Sequence, residues 1–407
     1  MSRRPQDRRT FLKTMAAGAV ASGSALAGIL GAGRKVPGRI VGDGMAYRRL
    51  GRTDLLVSEI SLGSSPLPDP DLLRAIVDRG VNYIDTSHNY ENGNAERRIG
   101  RLLKDVGRDK LLVATKFHVA PRDTPETIAS SVQGSLRRLD VATIDVLMIH
   151  GAESAGVLDD GRVLEAYERL KRAGAYRFRG LSCHANQDEV VRKAVSCGLY
   201  DMVQVGYNVF EIQEPDREVE TYPDYLTASG IGALVGLAHS RDVGVIAMKT
   251  LKVGGRRQDL GKYRTASASV YQAMLKWVLG DMRVTSALTE ILNRGQMEED
   301  LGAAGAKLAA EEKSTLARFV RENGADYCHG CARCGRACPS GVATATILRA
   351  LAYVESYGKA DRARSVYGSL KSGETAAACR DCGACERACP YGVAVRRRIR
   401  EAGRLLA

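Results

Sequence analysis

The sequence predicts an α/β protein in which a (β/α)8 TIM barrel is followed by a small, mainly α-helical domain. At about 150 residues per domain, a chain of 407 residues is long enough for more than one module. A hydrophobic content of 44% and a charged content of 26% are typical of globular proteins, and they exclude wholesale disorder and a polytopic membrane protein. Eight of the ten cysteines fall between Cys328 and Cys389, which indicates a separate domain there. We therefore expect a leader at residues 1–39, the barrel at 45–320 and the cysteine-rich domain at 321–407.

The net charge of +13 is concentrated at the two ends of the chain. Residues 1–39 hold eight basic side chains against one acid, a net +7, and residues 396–407 hold five against one, a net +4. The remaining residues 40–395 carry only +2, which argues against a nucleic-acid-binding face. The run Arg396–Arg398 is most simply interpreted as the solvated face of a helix.

The leader has a basic segment followed by a weakly apolar one. Arg8-Arg9 and Phe11-Leu12-Lys13 precede the Ala- and Gly-rich stretch 14–31, which is shorter than a membrane-spanning helix of about 20 strongly apolar residues. This pattern resembles a twin-arginine export signal, with Ala25-Leu26-Ala27 as a fitting cleavage site. The resemblance implies a bacterial protein exported already folded to the periplasm or another extracytoplasmic compartment, touching the membrane only transiently. A disordered basic tail or an uncleaved anchor is the alternative.

The barrel is predicted from short apolar runs that alternate with amphipathic helical patterns, which is the size and rhythm of eight strand–helix units. A doubly wound sheet is the main competitor, but no Gly-x-Gly-x-x-Gly turn follows the first strand. The predicted strands are Val57–Gly63, Asn82–Thr86, Leu111–Phe117, Ile144–His150, Arg177–Ser182, Asp201–Tyr207, Gly244–Lys249 and Val284–Leu288. The predicted helices include Asp71–Arg79, Asn94–Lys104, Thr124–Leu139, Val163–Ala173, Gln187–Ser196 and Ser269–Leu279.

Several segments of the barrel resemble the aldo-keto reductase family over roughly residues 45–305. The segments that carry the resemblance are Tyr47–Thr53, Val57–Gly63, Asn82–Tyr90, Asn94–Glu96, Ala114–Lys116, Leu147–His150 and Gln204–Asn208. The resemblance implies a small-molecule carbonyl or alcohol substrate. Substrate choice is expected to depend on variable loops such as Phe210–Thr221 and Val253–Ala266.

The resemblance also implies a catalytic tetrad of Asp85, Tyr90, Lys116 and His150. Asp85, Lys116 and His150 each lie at or near the end of a predicted strand, on the barrel face where such enzymes do chemistry. We expect Tyr90 to transfer the proton, Lys116 to lower the tyrosine pKa, Asp85 to hold the lysine and His150 to orient the carbonyl. Taken singly, each residue is more often structural.

The nicotinamide contacts carry over only in part. The resemblance assigns Ser182 and Gln204 to the carboxamide, but the usual Asn of the Ser-Asn pair is Cys183 here, and Met248 replaces the tyrosine on which the ring usually stacks. A thioether can pack against a ring face, so NAD(P)H binding is compatible with these residues. The usual phosphate-binding Lys-Ser or Arg-Ser is missing near the last strand, so NADP is not distinguished from NAD. Other histidines, His184 among them, either line the barrel mouth or are structural.

The cysteine domain carries one four-cysteine motif twice, in the C-x2-C-x2-C-x3-C-P spacing of bacterial ferredoxins. By the ligation rule of that motif, the fourth cysteine of each run binds the other cluster. One [4Fe–4S] cluster is then held by Cys328, Cys331, Cys334 and Cys389, and the second by Cys379, Cys382, Cys385 and Cys338. The helical pattern of residues 340–378 makes this an α-helical, two-cluster ferredoxin-type domain. Zinc bound by C-x2-C pairs is the alternative, although it leaves both Cys-Pro positions unexplained.

Together these features predict an exported oxidoreductase whose aldo-keto reductase-like barrel is coupled to two [4Fe–4S] clusters, with a redox protein as partner. The competing hypothesis is a non-catalytic electron-transfer protein that uses a degenerate barrel as a scaffold or docking surface. Nicotinamide delivers two electrons as a hydride, whereas each cluster passes one, and no flavin motif is visible to convert between them.

Overall fold

The computed structural model describes residues 38–42, 44–211, 230–251 and 260–407. The leader, apart from its last two residues, lies outside the described residues, as do residues 212–221 of the first variable loop and residues 253–259 of the second. No helix in the described part of the chain is both long and apolar enough to cross a membrane.

Eight parallel strands close into a barrel, which confirms the predicted fold class. The strands of the described residues are β1 (Arg39–Gly42), β2 (Met45–Arg49), β3 (Leu56–Ser58), β4 (Ile60–Gly63), β5 (Tyr83–Asp85), β6 (Leu112–Phe117), β7 (Ile144–Ile149), β8 (Tyr176–Cys183), β9 (Met202–Gly206), β10 (Gly244–Met248) and β11 (Ser286–Thr289). The barrel follows the order β10-β11-β4-β5-β6-β7-β8-β9, and β1, β2 and β3 form a separate antiparallel sheet.

Helices surround the barrel and make up most of the C-terminal domain. In the barrel region they are α1 (Pro70–Asp78), α2 (Asn94–Val106), α3 (Pro125–Leu139), α4 (Gly161–Arg172), α5 (Gln187–Cys197), α6 (Gly230–Ser240), α7 (Val270–Gly280), α8 (Arg294–Leu301) and α9 (Ala310–Asn323). In the C-terminal domain they are α10 (Arg333–Arg336), α11 (Thr344–Glu355), α12 (Ala360–Gly368), α13 (Ala384–Arg387) and α14 (Val395–Leu406).

Local sequence fixes where several of these helices begin. The Asp69 carboxylate accepts a hydrogen bond from the Leu72 amide at 2.9 Å, and Pro70 occupies the first turn of α1. The Thr124 hydroxyl does the same for the Thr127 amide at the start of α3. Such caps satisfy amides that have no partner inside the helix, and each stabilises it by about 1 kcal/mol.

The predicted first strand, Val57–Gly63, is divided in two by Glu59. Residues before it pair with β2 in the antiparallel sheet, and residues after it enter the barrel. The Glu59 side chain is buried and bonds to the Arg48 guanidinium at 2.8 Å and to that of Arg39 at 2.7 Å. A buried carboxylate needs such partners. The chain passes from one sheet to the other at the residue that makes these two bonds.

Each of the two domains has its own apolar core. Inside the barrel, Leu50, Leu55 and Val57 pack against side chains from the strands, so the segment around β3 closes its amino-terminal end. The C-terminal domain has its own core, in which Ile347 and Ile399 are buried. This arrangement leaves the carboxyl-terminal end of the barrel as the face where chemistry takes place in this fold.

The arginine run at the C-terminus is only partly solvated. Arg398 is buried, and its guanidinium bonds to the carboxylates of Glu355 and Glu401, the latter at 2.8 Å. The run was expected to be the solvated face of a helix, but at Arg398 it contacts α11 and holds α14 against that helix.

Candidate active site at the barrel mouth

The four tetrad residues meet at the carboxyl-terminal end of the barrel. Asp85 is the last residue of β5, Lys116 is the penultimate residue of β6 and His150 directly follows β7. Tyr90 begins the short turn Tyr90–Gly93 after β5. Parallel neighbouring strands end at the same edge, which is why residues far apart in sequence converge there.

Lys116 and Asp85 form a buried ion pair at the base of this site. The Lys116 ammonium lies 2.6 Å from the Asp85 carboxylate and 2.7 Å from the Thr86 carbonyl oxygen. Burial raises the pKa of Asp85 and lowers that of Lys116, because each loses hydration of its charged form. The hydrogen bond opposes both effects and holds the ammonium in place.

Tyr90 lies between this ion pair and His150. The Lys116 nitrogen is 5.2 Å from the centre of the tyrosine ring, and the ring meets that of His150 edge-on at 5.7 Å. Burial raises the pKa of Tyr90, and the charge of Asp85 raises it further. This is opposite to the expected lowering by Lys116, whose charge is already compensated by Asp85. The hydroxyl is therefore a proton donor in the resting site.

His150 is held as a neutral ring. Its Nδ1 atom is 3.0 Å from the Ser87 hydroxyl, and its ring stacks on that of His118 at 4.2 Å. Burial, followed by the charge of Lys116, holds the pKa of His150 well below its ordinary value. When Ser87 donates to Nδ1, Nε2 keeps its proton and can donate to a carbonyl oxygen.

The barrel mouth contains further histidines that the sequence could not assign. The His184 ring lies 6.3 Å from that of His150, and the His88 ring lies 5.4 Å from that of His118. The buried Nδ1 atom of His184 has no hydrogen-bond partner. Burial lowers the pKa of His118 to about 4 and that of His184 well below its ordinary range, so both are neutral near pH 7.

The three residues assigned to the cofactor lie beside the tetrad. The Ser182 hydroxyl accepts from the Gly151 amide at 3.0 Å, and the Gln204 amide contacts the Met248 sulfur at 3.9 Å. The Oε1 atom of Gln204 is buried without a partner, as an acceptor awaiting a carboxamide would be. Cys183 instead turns its thiol to the Ala185 carbonyl at 2.9 Å. Gln204 therefore fits a nicotinamide, whereas Cys183 does not replace the missing Asn.

The cysteines of the C-terminal domain form two groups that match the crossed ligation pattern. In the first group, Cys328, Cys331 and Cys389 all act electrostatically on the Cys334 thiol. That thiol accepts a hydrogen bond from the Thr344 hydroxyl at 2.8 Å, and burial raises its pKa to about 11. Because only a thiolate is a good ligand, a bound cation is needed to hold this sulfur in that form.

The second cysteine group lines a small cleft of its own. Its members Cys338, Cys379, Cys382 and Cys385 surround the cleft together with Arg380 and Arg396. The second group therefore offers four thiols to one space, which fits a four-iron cluster. Among the described residues, no three His, Cys, Asp or Glu side chains stand close enough to hold a single metal ion.

The first cysteine loop packs directly against the barrel. The Gly330 carbonyl accepts from the Asn186 amide at 3.0 Å, and the His329 carbonyl accepts from the Gln187 side chain at 3.4 Å. The Gly330 amide in turn points at the Cys328 sulfur, 3.4 Å away. The first cluster site therefore adjoins the segment after β8 that contains His184.

Comparison with known proteins supports both domains. A model of the aldo/keto reductase family matches residues 69–321, and a model of the 4Fe-4S dicluster domain matches residues 327–394. The fold and these matches define an oxidoreductase with an iron–sulfur domain. The chain belongs to the aldo/keto reductase family.

Relatives and solved structures agree with this assignment. An uncharacterized oxidoreductase of Bacillus subtilis, YqkF, is 25% identical over 66% of this chain and 94% of its own. The aldo-keto reductase AMT2 of Alternaria alternata is 28% identical over 67% of this chain and 90% of its own. The holo form of an aldo-keto reductase from Bacillus halodurans has a TM-score of 0.53 at 22% identity, covering 67% of this chain and 95% of its own. An aldo-keto reductase from Klebsiella pneumoniae in complex with NADPH also has a TM-score of 0.53, at 21% identity, over 67% of this chain and 93% of its own. The last two likenesses concern the fold alone.

Proposed function

We propose that the barrel interconverts a carbonyl compound and its alcohol, and that the two cluster sites exchange electrons with it. The observation that carries the chemistry is the buried Lys116–Asp85 pair at 2.6 Å, which lies beside the Tyr90 ring, and this ring in turn contacts that of His150. The packing of the Gly330 loop on the segment after β8 supports the coupling.

In this proposal Tyr90 donates the proton to the carbonyl oxygen. Its raised pKa keeps the hydroxyl protonated before the reaction. As the proton leaves, the Lys116 ammonium stabilises the phenolate that forms. Neutral His150 donates a hydrogen bond to the same oxygen and so fixes its position.

The residues that would hold a cofactor are divided between the domains. Gln204, Ser182 and Met248 would hold a nicotinamide, which supplies a hydride when bound. The two cysteine groups would hold [4Fe–4S] clusters, which supply one electron each. A hydride would bring both electrons and the hydrogen that carbon takes up, so Tyr90 supplies the one proton still needed. Two electrons from the clusters would need a second proton as well, which solvent would supply to carbon.

The proton transfer is tested by Tyr90→Phe. We expect the rate of aldehyde reduction to fall at least about 100-fold, because a positioned general acid contributes about that factor or more. Tyr83→Phe is the matched control, since Tyr83 lies on β5 and its buried hydroxyl has no partner. If Tyr90→Phe retains the wild-type rate, Tyr90 is not the acid. Absence of turnover in wild type would favour the barrel as an electron-transfer scaffold.

The cluster assignment is tested by anaerobic purification. We expect a brown protein with about eight irons per chain, as two four-iron clusters require. Cys334→Ala should lose iron, whereas Cys197→Ala should keep it, because Cys197 lies outside the cysteine domain. Stoichiometric zinc without visible absorbance would overturn the assignment.

The coupling is tested by comparing electron donors. If the clusters feed the barrel, a reduced viologen, which donates single electrons, should drive aldehyde reduction without NAD(P)H, and Cys334→Ala should abolish that reaction. Activity with NAD(P)H alone would show that the barrel works independently of the clusters.

Export is a further part of the proposal and rests on the sequence of residues 1–39. The folded state of twin-arginine substrates suits a protein whose clusters are inserted before export. Replacing Arg8 and Arg9 by Lys should retain the protein in the cytoplasm, whereas replacing Arg3 and Arg4 should not. Equal export of both variants would contradict the signal.

A further inference from the structure

The C-terminal domain covers the barrel mouth with the helices α11 and α12. The Lys359 ammonium, just before α12, bonds to the Ser65 carbonyl and lies 3.6 Å from the Glu290 carboxylate. Arg349 on α11 forms an ion pair with Glu153. Ser65, Glu153 and Glu290 follow β4, β7 and β11, so these contacts reach widely separated parts of the rim.

This cover places the Arg362 guanidinium at the mouth. Arg362 lies on α12 beside Tyr353 of α11, with its guanidinium carbon 5.9 Å from the tyrosine ring centre. It is close enough to act electrostatically on Tyr90 and on the rings of His118, His150 and His184.

The acidic groups near the mouth already have cationic partners. Asp85 pairs with Lys116, Glu153 with Arg349 and Glu91 with Arg98. Asp361, next to Arg362 in the chain, pairs with Arg364 instead.

Arg362 itself has no carboxylate partner within the described residues, and its side chain is exposed. The neighbouring histidines are neutral, so they add no positive charge beside the guanidinium. Within the described part of the mouth, the Arg362 guanidinium is therefore a positive charge without a carboxylate partner.

We propose that Arg362 binds a carboxylate of the substrate, so that the barrel prefers carbonyl compounds that carry an acidic group. This inference rests on the proposed carbonyl chemistry of the same site. A guanidinium offers two parallel N–H donors that match a carboxylate. The reacting carbonyl then faces Tyr90 and His150 while the acid faces α12.

The test compares 4-formylbenzoate with its methyl ester as substrates. In wild type the acid should have a kcat/KM at least tenfold above that of the ester. Arg362→Gln should raise the KM of the acid about tenfold and leave the ester unchanged, and Arg362→Lys should restore part of the preference. Arg364→Gln is the matched control, because Arg364 is exposed on the same helix and pairs with Asp361. Iron content and circular dichroism confirm that each variant is folded.

A binding measurement separates this inference from the proposed reaction. The probe is 4-(hydroxymethyl)benzoate, titrated calorimetrically into the holoprotein without turnover. Tighter binding to wild type than to Arg362→Gln supports the anion site even if neither aldehyde is reduced. Equal binding to both proteins, or equal kcat/KM for acid and ester in wild type, overturns the anion site even if both aldehydes are reduced.

Discussion

At the level of single residues, the Lys116–Asp85 pair links stability to chemistry. Both side chains are about 98% buried, so neither charge can be hydrated if its partner is removed. Lys116→Met should destabilise the barrel by about 3 kcal/mol, because it leaves a buried carboxyl group unpaired. Asp85→Asn combined with Lys116→Met should cost less than the two single changes together. Urea unfolding measures these effects when it is followed by the fluorescence of Trp277, the single tryptophan, which is buried on helix α7.

The neutral histidines predict a stability that falls in mild acid. Desolvation lowers the pKa of His118 from its ordinary 6.5 to about 4 in the folded barrel, and it lowers the pKa values of His150 and His184 in the same direction. The unfolded chain therefore binds protons that the folded one does not as the pH falls from about 6.5 towards 4. The midpoint of urea unfolding, measured by the fluorescence of Trp277, should be lower at pH 5.5 than at pH 7. The His118→Gln variant should show a smaller difference between the two pH values. An identical pH dependence in wild type and variant would contradict this account.

The sequence predicted some parts of this site better than others. Asp85 and Lys116 were predictable because they end neighbouring strands and so must approach each other. The direction of the Tyr90 pKa was not, because it depends on how deeply the ring is buried and on how fully Asp85 compensates Lys116. Arg362 lies far along the chain in another domain, and only the docking of α12 shows that it belongs to the mouth.

At the level of elements, helices α2 and α3 approach each other through Gly100. A Cβ atom at Gly100 would lie 2.6 Å from the Leu139 carbonyl oxygen and 2.9 Å from that of Arg138. Since backbone cannot move aside cheaply, Gly100→Ala should force the helices apart and cost about 1 to 3 kcal/mol. This loss of stability is measured as a fall in the urea midpoint, followed by the fluorescence of Trp277.

Gly134→Ala provides the control for that change. Gly134 lies on α3, and its added Cβ atom would meet no backbone but only the end of the Arg138 side chain, at 3.0 Å, where a shift of a few tenths of an ångström relieves the contact. Alanine is the better helix former by up to about 1 kcal/mol, so the variant should be as stable as wild type or more stable. Equal losses at Gly100 and Gly134 would exclude the close helix approach as the cause.

Element boundaries show what periodicity can and cannot predict. The run Val57–Gly63 was predicted as one strand because it is a short, largely apolar segment with β-branched residues. The structure divides it at Glu59, where two arginines from β1 and β2 bind the buried carboxylate. Such a turn depends on a long-range polar contact, which leaves no periodic signal in the sequence.

At the level of the whole molecule, the docking of two separately built cores creates the site. The cysteine spacing predicts the ligands of each cluster, but it contains no information about which cluster faces the barrel. The structure places the first group there, through the Gly330 loop, and leaves Cys382 of the second group exposed.

This docking predicts a specific effect of Gly330→Ala. The new Cβ atom would lie 2.7 Å from the His184 carbonyl oxygen, so the first cysteine loop must move away from the barrel and release the Asn186 amide. Hydrogen exchange at residues 184–188 should become at least tenfold faster. Gly341→Ala is the control, because Gly341 has the same backbone conformation, with φ +70° against +71°, but its Cβ would meet nothing within 4 Å. Both variants carry a similar backbone strain of about 1 kcal/mol, so the difference between them isolates the contact between domains. Unchanged exchange in Gly330→Ala would show that the cluster loop does not dock on the barrel in solution.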